Sequence, residues 1–116
     1  TNYDRIPEAE NWQLSANAKL LHICSNETIG GVQFKQMPES TCPLVADMSS
    51  DILSRPVDVN RFGLIYAGAQ KNIGPAGLTG IIVRQDLCGN ARSETPTFLD
   101  YAAQADADSM SNTPPT

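Results

Sequence analysis

Ten residues, Gly68-Ala69-Gln70-Lys71-Asn72-Ile73-Gly74-Pro75-Ala76-Gly77, separate two apolar runs in this chain. The runs are Gly63-Leu64-Ile65-Tyr66-Ala67 before and Leu78-Thr79-Gly80-Ile81-Ile82-Val83 after. Parallel strands need a crossover of about a dozen residues or more, usually helical. This connection is shorter, and its glycines and Pro75 work against a helix. The two runs are therefore expected as antiparallel neighbours, with Lys71 the one charged group in the turn.

Two further apolar runs, Leu20-Leu21-His22-Ile23-Cys24 and Pro43-Leu44-Val45-Ala46, read as buried strands. Each tips abruptly into polar residues, Ser25-Asn26-Glu27-Thr28 and Asp47-Met48-Ser49-Ser50-Asp51. His22 and Cys24, inside such a run, are expected to pack as core residues. Val32 to Met37 alternates apolar with polar, as a half-exposed strand does, and Pro38 ends it. Pro56 leaves room for one helical turn over Asp58–Phe62 but no full crossover helix. Short helical segments are expected over Glu8–Ala18, Asp86–Gly89 and Phe98–Ala105, with Trp12 anchoring the N-terminal stretch.

Composition narrows the function classes. The eight Lys and Arg residues are outnumbered by thirteen Asp and Glu, and they are scattered along the chain. Nucleic-acid binding needs converging positive charges, so it is not expected. No apolar run approaches the length that spans a bilayer, so no membrane association is expected either. The three cysteines lack CxxC spacing, which argues for free thiols, no bound metal and a reducing, cytoplasmic setting. Asp106 and Asp108 begin a calcium-loop rhythm, but the glycine and closing glutamate that such a loop needs are missing.

Thr28, Asp47 and Lys71 each follow the carboxyl end of an expected strand, where open α/β sheets bind ligands. Taken singly, the lysine is a solvated charge and the aspartate a turn former or helix cap. Taken together they suit pyridoxal phosphate, which needs a lysine for its Schiff base and an acid to keep its ring nitrogen protonated. A crowded loop of small residues would hold such a lysine. The phosphate-loop pattern does not apply, because Lys71 precedes Gly74 and no Gly-Lys-Ser/Thr occurs.

Four segments carry a resemblance: Asn26 to Val32 (NETIGGV), Ala46 to Pro56 (ADMSSDILSRP), Tyr66 to Gly77 (YAGAQKNIGPAG) and Ser111 to Thr116 (SNTPPT). They resemble, in order, the phosphoserine aminotransferase family. The resemblance implies an α/β fold. The chain would be part of the mixed, mostly parallel sheet of the aspartate-aminotransferase-like (fold type I) large domain, with an antiparallel strand after the lysine loop. Residues 1–116 would be its central segment, with the N-terminal part and the C-terminal small domain absent, and inactive alone. Lys71 would be the catalytic Schiff-base lysine, Asp47 the partner of the pyridine nitrogen, and Thr28 a hydrogen-bond partner near the ring hydroxyl. Gln70 would contact the cofactor phosphate, and Asn112 and Thr113 the phosphate in the other subunit of a homodimer. The implied reaction exchanges the amino group between glutamate and 3-phosphohydroxypyruvate, giving 2-oxoglutarate and O-phospho-L-serine for serine and pyridoxine synthesis. Another fold type I enzyme with this cofactor, or a noncatalytic structural fragment, are the alternatives.

Overall fold

A computed structural model describes residues 4–111, which fall into two units, one through Ile82 and one from Val83 onward. The strands of the first unit begin with β1 (Leu21–Cys24), then a small antiparallel pair, β2 (Asn26–Glu27) and β3 (Val32–Gln33). It continues with β4 (Leu44–Asp47), β5 (Leu64–Gly68) and β6 (Thr79–Val83). The main sheet runs β1-β4-β5-β6, so spatial order follows chain order. β1, β4 and β5 are parallel, with Leu21 opposite Leu44, Cys24 opposite Asp47, and Asp47 opposite Tyr66. Across the ten-residue turn the Ala69 amide donates to the Leu78 carbonyl at 2.7 Å. Gly80 lies against the Ala67 carbonyl. Residue numbers fall on one side as they rise on the other, so β6 runs antiparallel to β5, as the short turn requires.

Burial alternates with the strand period of two. Ile23, Leu44, Ala46 and Ile65 point to one face, where Met48 and Phe62 complete a buried cluster. The connections supply the rest of its cover, through Phe34, Met37, Ile52 and Val57. Withdrawing a side chain the size of Leu44 or Ile65 from water contributes about 1.5–3 kcal/mol each. Ala46 is fully buried, and its small side chain lets the connections lie close to the sheet.

Several expectations are corrected here. β1 is not buried on both faces: its pattern leaves His22 and Cys24 exposed, because only the face bearing Ile23 is covered. The strand expected over Val32–Met37 contracts to two residues. The Phe34 amide turns to the Ser25 carbonyl at 3.0 Å, and the Arg55 guanidinium takes the Phe34 and Lys35 carbonyls, so no strand partner remains for them. The helix expected over Glu8–Ala18 is one 3₁₀ turn, Ala9–Asn11. Trp12 stops it by donating its indole N–H back to the Pro7 carbonyl at 2.9 Å. That indole packs edge-on against Phe34 at 6.2 Å, which is the anchoring contact expected of it. Asp58 caps a single 3₁₀ turn, Val59–Arg61, where one turn was expected.

In the second unit, 3₁₀ turns occupy Gln85–Leu87 and Thr97–Leu99, and α1 spans Tyr101–Asp106. The helix expected over Phe98–Ala105 is split at Asp100, whose carboxylate accepts from the Ala102 amide at 3.0 Å and restarts the chain as α1. All three cysteines are free thiols. Among the described residues no helix is long and apolar enough to cross a membrane.

Candidate active site

The parallel register places Cys24, Asp47 and Tyr66 in one cross-strand row, formed by the last residues of β1 and β4 and the middle of β5. Asp47 is the centre of this row. Its Oδ1 accepts from the Ser49 amide at 2.9 Å, an Asx turn made by the residues that leave the strand. The Ser49 hydroxyl accepts in turn from the Gly68 amide at 3.0 Å, tying the ends of β4 and β5. Partial burial alone would raise the Asp47 carboxyl. The Ser49 hydroxyl and amide, the Tyr66 hydroxyl and the nearby His22 outweigh burial and hold it below the ordinary carboxylate range.

A carboxyl that titrates lower when folded stabilises the fold above its unfolded pKa of about 3.9, and that contribution disappears as pH falls through the lower, folded value. Stability to urea is therefore expected to hold from neutral pH to about 5 and to decline below about pH 4. Asp47→Asn flattens the decline, as following the unfolding midpoint against pH will show. An equally steep decline in the variant would count against this assignment.

Lys71 lies at the start of the β5–β6 turn, and its Nζ donates to Thr28 Oγ1 at 2.7 Å across 43 positions of sequence. Both residues are exposed. The crowded loop expected around the lysine is not found: Pro75, Ala76, Gly77 and Leu78 are themselves exposed, so the turn projects outward. A tether at its base fixes it instead, with Asn72 Nδ2 donating to the Ile52 carbonyl at 2.7 Å. Gln70, immediately before the lysine, is exposed on the same turn.

The Thr28 side is built as firmly. Glu27 accepts from the Gly30 and Ile29 amides, which with Lys71 nearby hold its carboxyl below the ordinary range. Asn26 and Ser50 exchange two hydrogen bonds, at 2.9 and 2.8 Å. Beneath them, Asp51 Oδ1 takes the hydroxyl of fully buried Ser25, and its Oδ2 takes Gln33 Nε2 at 2.9 Å. The turn over residues 48–52 thus bonds Asp47 itself and the segments that carry the other two: Ser49 holds Asp47, Ser50 holds Asn26 ahead of Thr28, and Ile52 holds Asn72 beside Lys71.

Of the residues expected at the site, Lys71 and Thr28 are in direct contact, and Asp47 joins them through that turn. Asn112 and Thr113 lie outside the described residues. Sequence reasoning missed Ser49, Tyr66 and His22. Tyr66 and His22 carried a signal in strand parity, since each shares a sheet face with Asp47 once the parallel register is drawn.

The class-V aminotransferase family matches residues 2–116. A phosphoserine aminotransferase of Laribacter hongkongensis is 65% identical over 116 residues, covering 100% of this chain and 32% of its own length. The solved phosphoserine aminotransferase of Bacillus circulans subsp. alkalophilus superposes with a TM-score of 0.90 at 53% identity, over 98% of this chain and 32% of that one. A phosphoserine aminotransferase of Trichomonas vaginalis, solved with pyridoxal phosphate bound, gives 0.89 at 41% identity, over 97% and 32%. The chain spans about a third of the length of the relatives it matches.

Proposed function

Because this chain belongs to the class-V aminotransferase family, we propose that it is the central segment of the cofactor-binding large domain of a phosphoserine aminotransferase. The observation that carries this reading is the Lys71–Thr28 contact after β5, with the Asp47 carboxyl held low at the end of the neighbouring strand β4. These side chains fit pyridoxal phosphate: an amine on a tethered turn, a hydroxyl within its reach, and an acid that stays charged to face a protonated pyridine nitrogen. When bound, pyridoxal phosphate supplies a carbonyl that condenses with amines and a cationic ring that draws electrons from the substrate's α-carbon.

The protein's part is to bind, orient and move protons. Lys71 Nζ would hold the cofactor; once the substrate's amine displaces it, the freed Nζ would move the proton between the substrate's α-carbon and the cofactor's C4′. Asp47 keeps the ring nitrogen charged. Thr28 fixes the orientation of the ring, and Gln70 contacts the phosphate. Asn112 and Thr113 reach the cofactor phosphate of the second subunit in a homodimer. The substrates are glutamate and 3-phosphohydroxypyruvate, and the products 2-oxoglutarate and O-phospho-L-serine, which serve serine and pyridoxine synthesis in the cytoplasm. With this site open to solvent, the 116 residues by themselves are expected to turn over neither substrate.

The chain carries three lysines, Lys19, Lys35 and Lys71, so it contains its own controls. Incubation with pyridoxal phosphate, borohydride reduction and peptide mapping will place the adduct on Lys71. Equal labelling of the three, or none on Lys71, favours a noncatalytic role for the fold.

A further inference from the structure

The row that holds Asp47 extends one residue further than the cofactor reading needs. Tyr66 stands opposite Asp47 on β5, and its hydroxyl is one of the hydrogen-bonding groups that hold the Asp47 carboxyl low. The same hydroxyl lies 3.0 Å from His22 Nε2, 44 positions away in sequence. The two rings stack, with centroids 5.9 Å apart and planes 24° from parallel. A phenol has one proton, and an ionised carboxylate can only accept. The Tyr66 proton therefore goes to Asp47, and the Tyr66 oxygen must accept from His22, which fixes the imidazole proton on Nε2. This order, His22 Nε2–H to Tyr66 O–H to Asp47, runs across the sheet in one direction, and such chains polarise each successive donor.

We propose that His22 and Tyr66 are positioning residues for the cofactor-binding carboxylate: the imidazole aims and polarises the tyrosine hydroxyl, and the hydroxyl orients Asp47 toward the pyridine nitrogen. The proposal rests on the cofactor assignment above for its purpose, but the relay itself is a property of the cofactor-free chain. Ser49 approaches Asp47 from the turn after β4, through its amide and its hydroxyl. Tyr66 acts on Asp47 from a neighbouring strand, and His22 is what orders its proton. Exposure of His22 argues against a packing role, since its ring covers nothing except Tyr66 among the ring contacts of the described residues.

The test follows the Asp47 carboxyl by carbon-13 NMR in the full cofactor-free chain as pH is lowered. Tyr66→Phe is expected to raise the Asp47 midpoint toward the ordinary aspartate value. His22→Phe keeps a ring on Tyr66 but removes the donor, and is expected to raise the midpoint less. His22→Gln restores an N–H donor and is expected to return it toward that of the unsubstituted chain. With pyridoxal phosphate bound, Tyr66→Phe weakens retention of the cofactor about tenfold, the loss of one hydrogen bond to a charged group. An Asp47 midpoint unmoved by Tyr66→Phe overturns the relay, as does a His22→Gln midpoint equal to that of His22→Phe. The exposed position of His22 keeps that comparison readable should Tyr66→Phe not fold. A chain that shows the midpoint shifts yet forms no Lys71 adduct leaves the relay standing and defeats the cofactor assignment.

Discussion

Lys71→Ala abolishes covalent capture of pyridoxal phosphate. With this segment grafted in place of its counterpart in a full-length relative, it lowers transamination by about 10⁴-fold or more. The size of the effect comes from two roles ending together. The amine that joins the cofactor is also the base that moves the α-carbon proton, and a positioned base alone contributes about 10²–10⁴-fold. Thr28 loses its partner at the same time. The control is Lys71→Arg, which keeps the charge and can still donate to Thr28 but offers no amine that condenses with a carbonyl. Absorbance of the bound cofactor and initial rates with glutamate and the phosphorylated oxo acid are the measurements. An arginine variant that retains the activity of the unsubstituted graft would show that Lys71 serves as a charge and not as a nucleophile.

Asp51→Ala should cost about 2–4 kcal/mol of stability, the larger end of what a single broken polar network produces. Asp51 is 9% exposed and takes donors from both sides, the Ser25 hydroxyl and the Gln33 amide. Ser25 is fully buried, and its other contact is the Asp47 carbonyl at 3.0 Å. Removing the carboxylate leaves the Ser25 hydroxyl to that carbonyl alone and the Gln33 amide without its acceptor. The residues between them carry Thr28, so the same change loosens the cofactor side. In urea, with a slope of about 1–3 kcal/mol/M, the midpoint falls by about 1–2 M. A shift under about 0.3 M would mean that water replaces these bonds, and that the network is surface chemistry.

The strand ends were legible because the chain writes them sharply. Cys24, Ala46 and Ala67 each close an apolar run, and Thr28, Asp47 and Lys71 follow within a few residues. The ten-residue turn fixed the direction of β6 through chain length alone. What sequence did not disclose was which face of each strand would be covered. A short apolar run looks the same whether one face or two are packed, so His22 and Cys24 read as core when the connections cover only the Ile23 side. The Ser25–Asp51–Gln33 network was illegible for another reason. Ser, Asp and Gln in loops are ordinary, and only the folded register shows that they meet out of water.

Because the main sheet is laid down in chain order, β1 then β4 then β5 then β6, each strand can dock on an edge that already exists. Among the described residues no strand of the main sheet has to insert between two others, and the loop closed at each step is the one between successive strands of that sheet. Assembly can therefore follow synthesis, growing from the amino-terminal side. Asp47 settles when β5 arrives with Tyr66. The Lys71–Thr28 contact, spanning 43 positions, closes only once the following turn has formed. The amine that would seize the cofactor is thus placed only after β1, β4 and β5 have followed one another out, so the growing chain holds no Lys71–Thr28 contact until then.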